Sequence, residues 1–366
     1  MGTKKIKRIA LMSSGGDCPG INAVIRAVTK TAIGKYKLEV IGIEDGYLGL
    51  IEDRKRMLKY SDASNILTLG GTILGSNNKT NPTNFPVETS EGKKEYRDIS
   101  GDCIQRLRDW GAEALICIGG DGSMASAAAF AGLGFPVIGV PKTIDNDLPG
   151  TDFTFGFDTA VRTAAEAIDK VHTTAGSHHR VMIVEVMGRY AGWLTLHAGV
   201  ASGSDVILIP EIPFDIEKVR EKLIERSKKA RGYSIIAVAE GAKPKGGEMV
   251  VSKKIESSPD PVRLGGIANK LSDQIPEGNN LDCRSVVLGH IQRGGTPTPH
   301  DRNLATMFGH TAVELLMKGT LNQLVVYKDG KLSGVPLSKI AGKTKTVPKN
   351  HPLVKAAKAV GTSFGV

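Results

Sequence analysis

Short runs of β-branched and other apolar residues recur along the chain with helical stretches between them, and this alternation limits the possible folds more than any other feature. The runs cover residues 9–12, 38–43, 114–118, 136–140, 181–186, 206–209, 235–239 and 286–288. Strands buried on both faces read as continuous apolar segments, and their alternation with helices predicts mainly parallel sheets covered by helices. A chain of 366 residues exceeds what one hydrophobic core normally organises, so two α/β lobes are expected. The segment 77–97 is polar, contains two prolines and follows neither period, so it reads as a surface loop leading to the helix before Trp110. Residues 243–261 read as a second excursion of the same kind.

Most of the apolar runs end in loops of charged residues, usually with glycine: SSGGD, GGDGS, PKTIDND, EVMGRYAG, AEG and GHIQRGG. In open α/β sheets, ligands sit outside the carboxyl ends of the strands, where loops and helix N-termini converge. In SSGGDCPG the glycines allow close backbone approach to a phosphate, although the loop lacks the Walker ending and equally fits a plain strand-to-helix turn. In Gly119-Gly120-Asp121-Gly122-Ser123, a carboxylate beside phosphate implies a divalent cation between them, while a helix-capping Asp accounts for the same composition. Asp145 and Asp147 stand two apart in an extended loop, where they suit a base and a metal-linked carboxylate or, as readily, an Asx turn. Lys142 at the strand end either neutralises phosphate or is solvated. Arg180, Arg189, Arg284 and Arg293, with His290 and Glu240, stand at strand ends, and guanidinium forks suit phosphate oxygens.

Charge and cysteines exclude other classes. With 48 Lys+Arg against 38 Asp+Glu the formal charge is +10, but nine of the cations lie in two acid-free ends, leaving the remainder almost neutral. Aromatic residues are 5% and do not interleave with a basic face, which disfavours nucleic acid. No apolar run approaches the roughly 18 residues of a membrane helix, so a soluble protein without a membrane partner is expected. The apolar run IALM is too short for a signal peptide, and Ile6 at the sixth position excludes a myristoylation motif. Cys18, Cys103, Cys117 and Cys283 are scattered, without C-x-x-C spacing, and read as reduced cytoplasmic thiols.

In matching order from residue 9 to about 315, SGGDCPG, GGTILGS, GGDGS, PKTIDND, GFDTA, EVMGRYAG and GHIQRGG resemble the phosphofructokinase family. The resemblance implies two Rossmann-like lobes with the active site in the cleft between them. It assigns residues 1–140 plus about 255–305 to a nucleotide lobe, 141–254 plus about 306–340 to a sugar-phosphate lobe, and 341–366 to a basic C-terminal extension. The implied reaction transfers the γ-phosphoryl of ATP to the 1-hydroxyl of fructose 6-phosphate in glycolysis, giving fructose 1,6-bisphosphate and ADP, with Mg2+. Gly16, Asn78, Lys79 and Gly120, Asp121, Gly122 and Ser123 would bind the nucleotide, with Tyr47 packing on adenine. Familiar bacterial members have Arg at the position of Asn78, which makes Lys79 the candidate cation.

By the same resemblance Asp121 would hold the metal, with Asp147 as a second candidate, and Asp145 would be the base, beside Thr143 and Arg189. The sugar phosphate would be held by Thr143, Ile144, Asp145, Met187, Gly188, Arg189, Glu240, His290, Ile291, Gln292 and Arg293. Arg180 and Arg284 would come from a neighbouring subunit, which implies a homo-oligomer, tetramer or dimer, with shared sites. Gly122 and Lys142 bear on the donor: pyrophosphate users typically carry Asp at the first and Lys at the second, so ATP is expected with pyrophosphate as the alternative. A catalytically silent sensor of sugar phosphate or nucleotide is the reading from another class, against which the retained Asp121, Asp145 and Arg189 argue.

Overall fold

The computed structural model describes residues 6–88, 92–228, 232–254 and 262–366. The chain divides into a first unit of residues 1–144, 148–156 and 293–343 and a second of 145–147, 157–292 and 344–366.

The first unit is built on strands β1 (Arg8–Ser13), β2 (Glu39–Ile43), β3 (Lys55–Leu58), β6 (Ala114–Gly119), β7 (Val137–Pro141), β14 (Gln323–Lys328) and β15 (Lys331–Pro336), in the order β15-β14-β7-β6-β1-β2-β3. The five inner strands pair in parallel, and the edge strands β3 and β15 are antiparallel to their neighbours. β6 and β7 are buried throughout, as both-face coverage of a parallel sheet requires. The cover comes from α1 (Ile21–Lys30), α2 (Tyr47–Ile51), α3 (Ser100–Asp109), α4 (Asp121–Gly132), α9 (Pro299–Met317) and α10 (Leu337–Ile340). In α1 the buried Ile21, Val24, Ile25 and Val28 form one helical stripe. Fully burying each such side chain contributes roughly 1.5–3 kcal/mol.

The second unit has a four-stranded parallel sheet, β13-β8-β10-β9, of β8 (Val181–Val186), β9 (Val206–Leu208), β10 (Ser234–Ala239) and β13 (Cys283–Val287). Its helices are α5 (Phe157–His178), α6 (Trp193–Ala201), α7 (Ile216–Ser227), α8 (Ile267–Gln274) and α11 (Pro352–Ala359).

Several boundaries differ from the sequence reading. Residues 306–340 belong to the first unit, because β14 pairs with β7 and α9 lies against α1. Residues 262–292 belong to the second, because β13 pairs with β8. The segment read as a plain loop holds an antiparallel ribbon of β4 (Phe85–Glu88) and β5 (Lys94–Arg97). The second excursion likewise contains a strand, β11 (Val251–Lys254), paired with β12 (Val262–Leu264). Residues 344–366 are no loose extension: Ser363 bridges in parallel to Val206 at the open edge of β9, and Phe364 is buried.

One buried acid sits inside the apolar strand β8. Glu185 accepts hydrogen bonds from Gly266 N at 3.1 Å and Ala268 N at 3.0 Å, so its carboxylate caps the exposed donors of α8. Glu185→Leu leaves those donors buried without an acceptor. It is expected to cost about 1.5–3 kcal/mol, read as a lower midpoint in chemical denaturation.

Candidate functional site

In the first unit, β7, β6 and β1 are neighbours, so their carboxyl-terminal loops 141–144, 119–123 and 14–20 emerge side by side. Backbone bonds tie them together: Ser14 N donates to Ile118 O at 2.9 Å, and Lys142 N to Gly119 O at 2.9 Å. Segment 75–79 joins them, since Gly15 N donates to Asn77 O at 3.0 Å and Ser76 Oγ to Gly15 O at 2.6 Å. Asn77, absent from the sequence-based set, also accepts from Lys79 N at 2.8 Å through its side chain and shapes the turn that presents the exposed Asn78 and Lys79.

The GGDGS loop turns directly into α4. A side chain at Gly119 would collide with Ser123 Cβ, whereas a Cβ at Gly122 would meet nothing within 4 Å. Asp121 is the first residue of α4, where the helix dipole favours an anion, and its Oδ1 accepts from Gly342 N at 3.1 Å. Burial pushes its carboxyl above the usual range, against the pull of that N–H. Among the described residues no group of three or more His, Cys, Asp or Glu gathers as a metal centre. Asp121 thus offers a single, partly desolvated carboxylate, which fits a Mg2+ ion that keeps waters and takes its other ligands from phosphate oxygens.

Lys142 is buried, and its ammonium donates to the carbonyl of Gly16. Burial holds it below the usual lysine range. Arg293 reaches the same loop, with Nη1 donating to Asp17 O at 3.0 Å. Tyr47 does not offer an open ring to adenine. It is 1% exposed, stands edge-on to Phe130 with centroids 5.7 Å apart, and donates through its hydroxyl to Ser123 O at 3.0 Å, so it supports the GGDGS turn from beneath.

The chain passes from the first unit to the second between Ile144 and Asp145. Thr143 O accepts from Thr154 Oγ1 at 2.7 Å, and Ile144 is fully buried. Asn146 takes a left-handed conformation (φ 50°) between Asp145 and Asp147, and Asp147 O accepts from Lys345 N at 2.6 Å.

In the second unit, β13, β8 and β10 are neighbours, which gathers Met187–Arg189, Glu240 and His290–Gln292 at their carboxyl ends. Glu240 N donates to Val186 O at 2.9 Å and Gly241 N to Gly188 O at 3.1 Å. A side chain at Gly241 would overlap the Arg189 carbonyl. The Arg189 guanidinium lies 4.9 Å from the Tyr190 ring centroid. Gln292 is fully buried, its amide accepting from Met187 N at 3.2 Å and donating to Gly289 O at 3.0 Å. It therefore braces two loops, while His290 and Ile291 are exposed beside it.

Arg180 and Arg284 stand elsewhere. Both lie at the amino ends of their strands, so along β8 Arg180 is about 23 Å from Met187 at a rise of about 3.3 Å per residue. Asp282 holds both, 2.6 Å from Arg180 Nε and 2.5 Å from Arg284 Nη1, and the Arg180 hydrogen bond keeps its carboxyl below the usual range. Asp282 was not among the sequence candidates. Its one visible signal is a two-residue spacing from Arg284, which puts both on one side of an extended segment.

Two mainly parallel α/β units with glycine loops gathered at strand carboxyl ends define the structural class of this chain. It belongs to the phosphofructokinase family, whose model, described as Phosphofructokinase, matches residues 8–316. It is 53% identical over 361 residues to the ATP-dependent 6-phosphofructokinase 2 of Clostridium perfringens, covering 98% of both chains. It is 46% identical over 341 residues to the pyrophosphate–fructose 6-phosphate 1-phosphotransferase of Amycolatopsis methanolica, covering 93% of this chain and 96% of that one. Among solved structures, a phosphofructokinase of Pichia pastoris in the T-state matches with TM-score 0.75 and 31% identity, over 93% of this chain and 36% of that much longer one. No helix among the described residues is long and apolar enough to cross a membrane.

The buried position of Tyr47 yields a direct check. Tyr47→Phe removes the buried bond to Ser123 O and the weaker contact with Cys117 Sγ, and should cost about 1 kcal/mol in thermal unfolding while leaving the KM for nucleotide within about twofold.

Proposed function

We propose that the chain is an ATP-dependent 6-phosphofructokinase, transferring the γ-phosphoryl of ATP to the 1-hydroxyl of fructose 6-phosphate. The observation that carries this reading is the 53% identity to a relative of that name over nearly the whole of both chains. The retained carboxylates and strand-end arginines favour it over a silent sensor.

Phosphoryl transfer asks a protein chiefly to position two anionic reactants and to screen their charge. On this reading the backbone of 120–123, with Gly16, Asn78 and Lys79, receives the nucleotide, and Asp121 holds Mg2+, which supplies neutralising charge on the phosphates. Asp145 takes the proton from the 1-hydroxyl, a poor nucleophile at neutral pH, and Thr143 flanks the transferring group. Arg189 screens developing negative charge and, with the backbone of Met187 and Gly188, Glu240, His290 and Arg293, holds the sugar phosphate. Ile144, Ile291 and Gln292 complete its surroundings, Gln292 by bracing Met187. Arg180 and Arg284 serve the site of a neighbouring subunit in a homo-oligomer, a role supported by their place at the opposite end of the sheet from Arg189 and by their common anchor on Asp282.

Pyrophosphate as donor is the second reading, favoured by Lys142 and by the 46% identity to the Amycolatopsis enzyme. Gly122 weighs toward ATP. An Asp there would bring negative charge to the region of the α-phosphate, and because the protein leaves open space at this position, the glycine is not demanded by packing.

Two measurements test these assignments. Asp145→Ser should lower kcat by about 10²- to 10⁴-fold with a smaller change in the KM for either substrate, and near-normal turnover would remove Asp145 from the role of base. Gly122→Asp should keep the melting temperature and lower kcat/KM with ATP by at least about tenfold, a loss of 1.4 kcal/mol or more, while turnover with pyrophosphate holds or rises. Wild-type turnover with pyrophosphate and none with ATP would reverse the choice of donor.

A further inference from the structure

The loop that carries Arg189 ends at Gly192, the residue preceding α6, and a half-buried acid outside the sequence-based set, Glu211, reaches it from the segment that follows β9. Glu211 Oε1 accepts from Gly192 N at 3.0 Å and from Val347 N at 2.7 Å, and Oε2 stands 3.2 Å from Gly192 N. One carboxylate thus clasps the end of the Arg189 loop to the C-terminal segment. Space at the clasp is tight: a side chain at Gly192 would lie 2.9 Å from Glu211 Oε2 and would collide with Ile209. A second strap runs in parallel. The Trp193 indole donates to Lys345 O at 2.8 Å, and the His351 ring stands edge-on to Trp193 at 5.0 Å. The segment itself is anchored farther on, where Ser363 N donates to Asp205 O and Ile207 N to Ser363 O, both at 2.9 Å, with Phe364 buried.

We propose that Glu211 is a positioning residue for sugar-phosphate recognition, using residues 345–351 as a fixed support that holds the loop 187–192 and with it Arg189. The inference rests on the reading that Arg189 holds the sugar phosphate. Gly192 is three residues from Arg189 in a loop already closed by Gly241 N donating to Gly188 O, so little slack separates the clasp from the guanidinium. Burial pushes the Glu211 carboxyl above its usual range, while the N–H groups of Val347 and Gly192 act in the opposite sense. Oε1 accepts from both donors, and Oε2 only shares Gly192 N with it, so an amide oxygen can keep a bond to each donor and the essential property is an acceptor rather than a charge.

Steady-state kinetics on the full-length protein test the clasp. Glu211→Ala should raise the KM for fructose 6-phosphate by about tenfold or more with the KM for ATP within about twofold, because displacing a positioned cation by a fraction of an ångström weakens one substrate selectively. Glu211→Gln should restore the KM to within about twofold of wild type. Trp193→Phe, which removes the indole bond to Lys345 and trims the ring that meets His351, should shift the same KM in the same direction by about threefold. An unchanged KM for fructose 6-phosphate in Glu211→Ala, an equal rise for both substrates, or a Gln variant as impaired as Ala would each overturn the proposal. Should Glu211→Ala fail to fold, Trp193→Phe and Glu211→Gln decide it by the same criteria. Arg189→Ala separates this from the parent reading: if that variant binds fructose 6-phosphate normally, the assignment of Arg189 fails, whereas a weakened Arg189→Ala beside an unaffected Glu211→Ala removes only the clasp.

Discussion

Parallel strand pairing is the constraint on which the rest depends. When neighbouring strands run the same way, all their carboxyl ends meet one edge of the sheet, and residues distant in sequence become neighbours. In the first unit the pairing of β1 with β6 and β6 with β7 brings loops 14–20, 119–123 and 141–144 together. In the second unit the pairing of β8 with β13 and β10 does the same for Arg189, Glu240 and His290. The same geometry separates: Arg180 and Arg284 enter their strands at the opposite edge, so a single second unit cannot close them onto Arg189. The carboxylate-held pair of arginines, at the opposite edge from Arg189, is the arrangement that supports the proposal of sites shared between two copies.

Glycines at these edges fall into two kinds. Gly119 and Gly241 are set by packing, since any side chain would strike Ser123 or the Arg189 carbonyl. Gly122 is different, for the protein leaves open space around it. Selection by the fold explains the first kind and says nothing of the second. On the proposed reading, a glycine that packing does not require, placed one residue from a carboxylate at a helix N-terminus, leaves room for the phosphoryl donor. This makes Gly122 the more informative of the two donor-linked positions. Lys142 has an internal role as well: its ammonium is tied to the Gly16 carbonyl, so its presence is accounted for by loop support whichever donor is used.

The legible part of the fold was the part written in continuous apolar runs. β8 was read with its observed limits and β1, β2, β6, β7, β9 and β10 nearly so, because strands buried on both faces are almost continuously apolar, Glu185 of β8 being the exception. β14 and β15 were not read, and residues 306–340 were placed in the wrong unit, because β14 finds β7 across more than 180 residues and no local signal records that pairing. The ribbon of β4 and β5 escaped because exposed, charged residues and a proline conceal its alternation. Site residues divide in the same way. Asp121 and Arg189 stand inside glycine loops and Asp145 in an acidic strand-end loop, so all three were visible as chemistry, whereas Asp282, Gln292 and Tyr47 act by holding neighbours. Asp282 was not seen at all, while Gln292 and Tyr47 were read as ligand contacts, because a partner's position is not written beside a residue in the chain.

The C-terminal segment shows how charge can mislead about a role. Its lysines stand out in the sequence and drew the description of a basic extension, yet its attachment runs through groups that composition does not weigh: the Val347 N–H on Glu211, the Lys345 carbonyl on Trp193, the backbone of Ser363 along β9 and the buried ring of Phe364. An open parallel edge exposes unpaired N–H and C=O groups, and a short strand such as β9 gains most from a neighbour that covers them. Once the segment is fixed there for reasons of stability, any loop bonded to it inherits that rigidity. Glu211 makes such a bond to the end of the Arg189 loop, so a device that completes a sheet also restrains a guanidinium. Stability of the edge and, on the proposed reading, precision at Arg189 then depend on the same few residues.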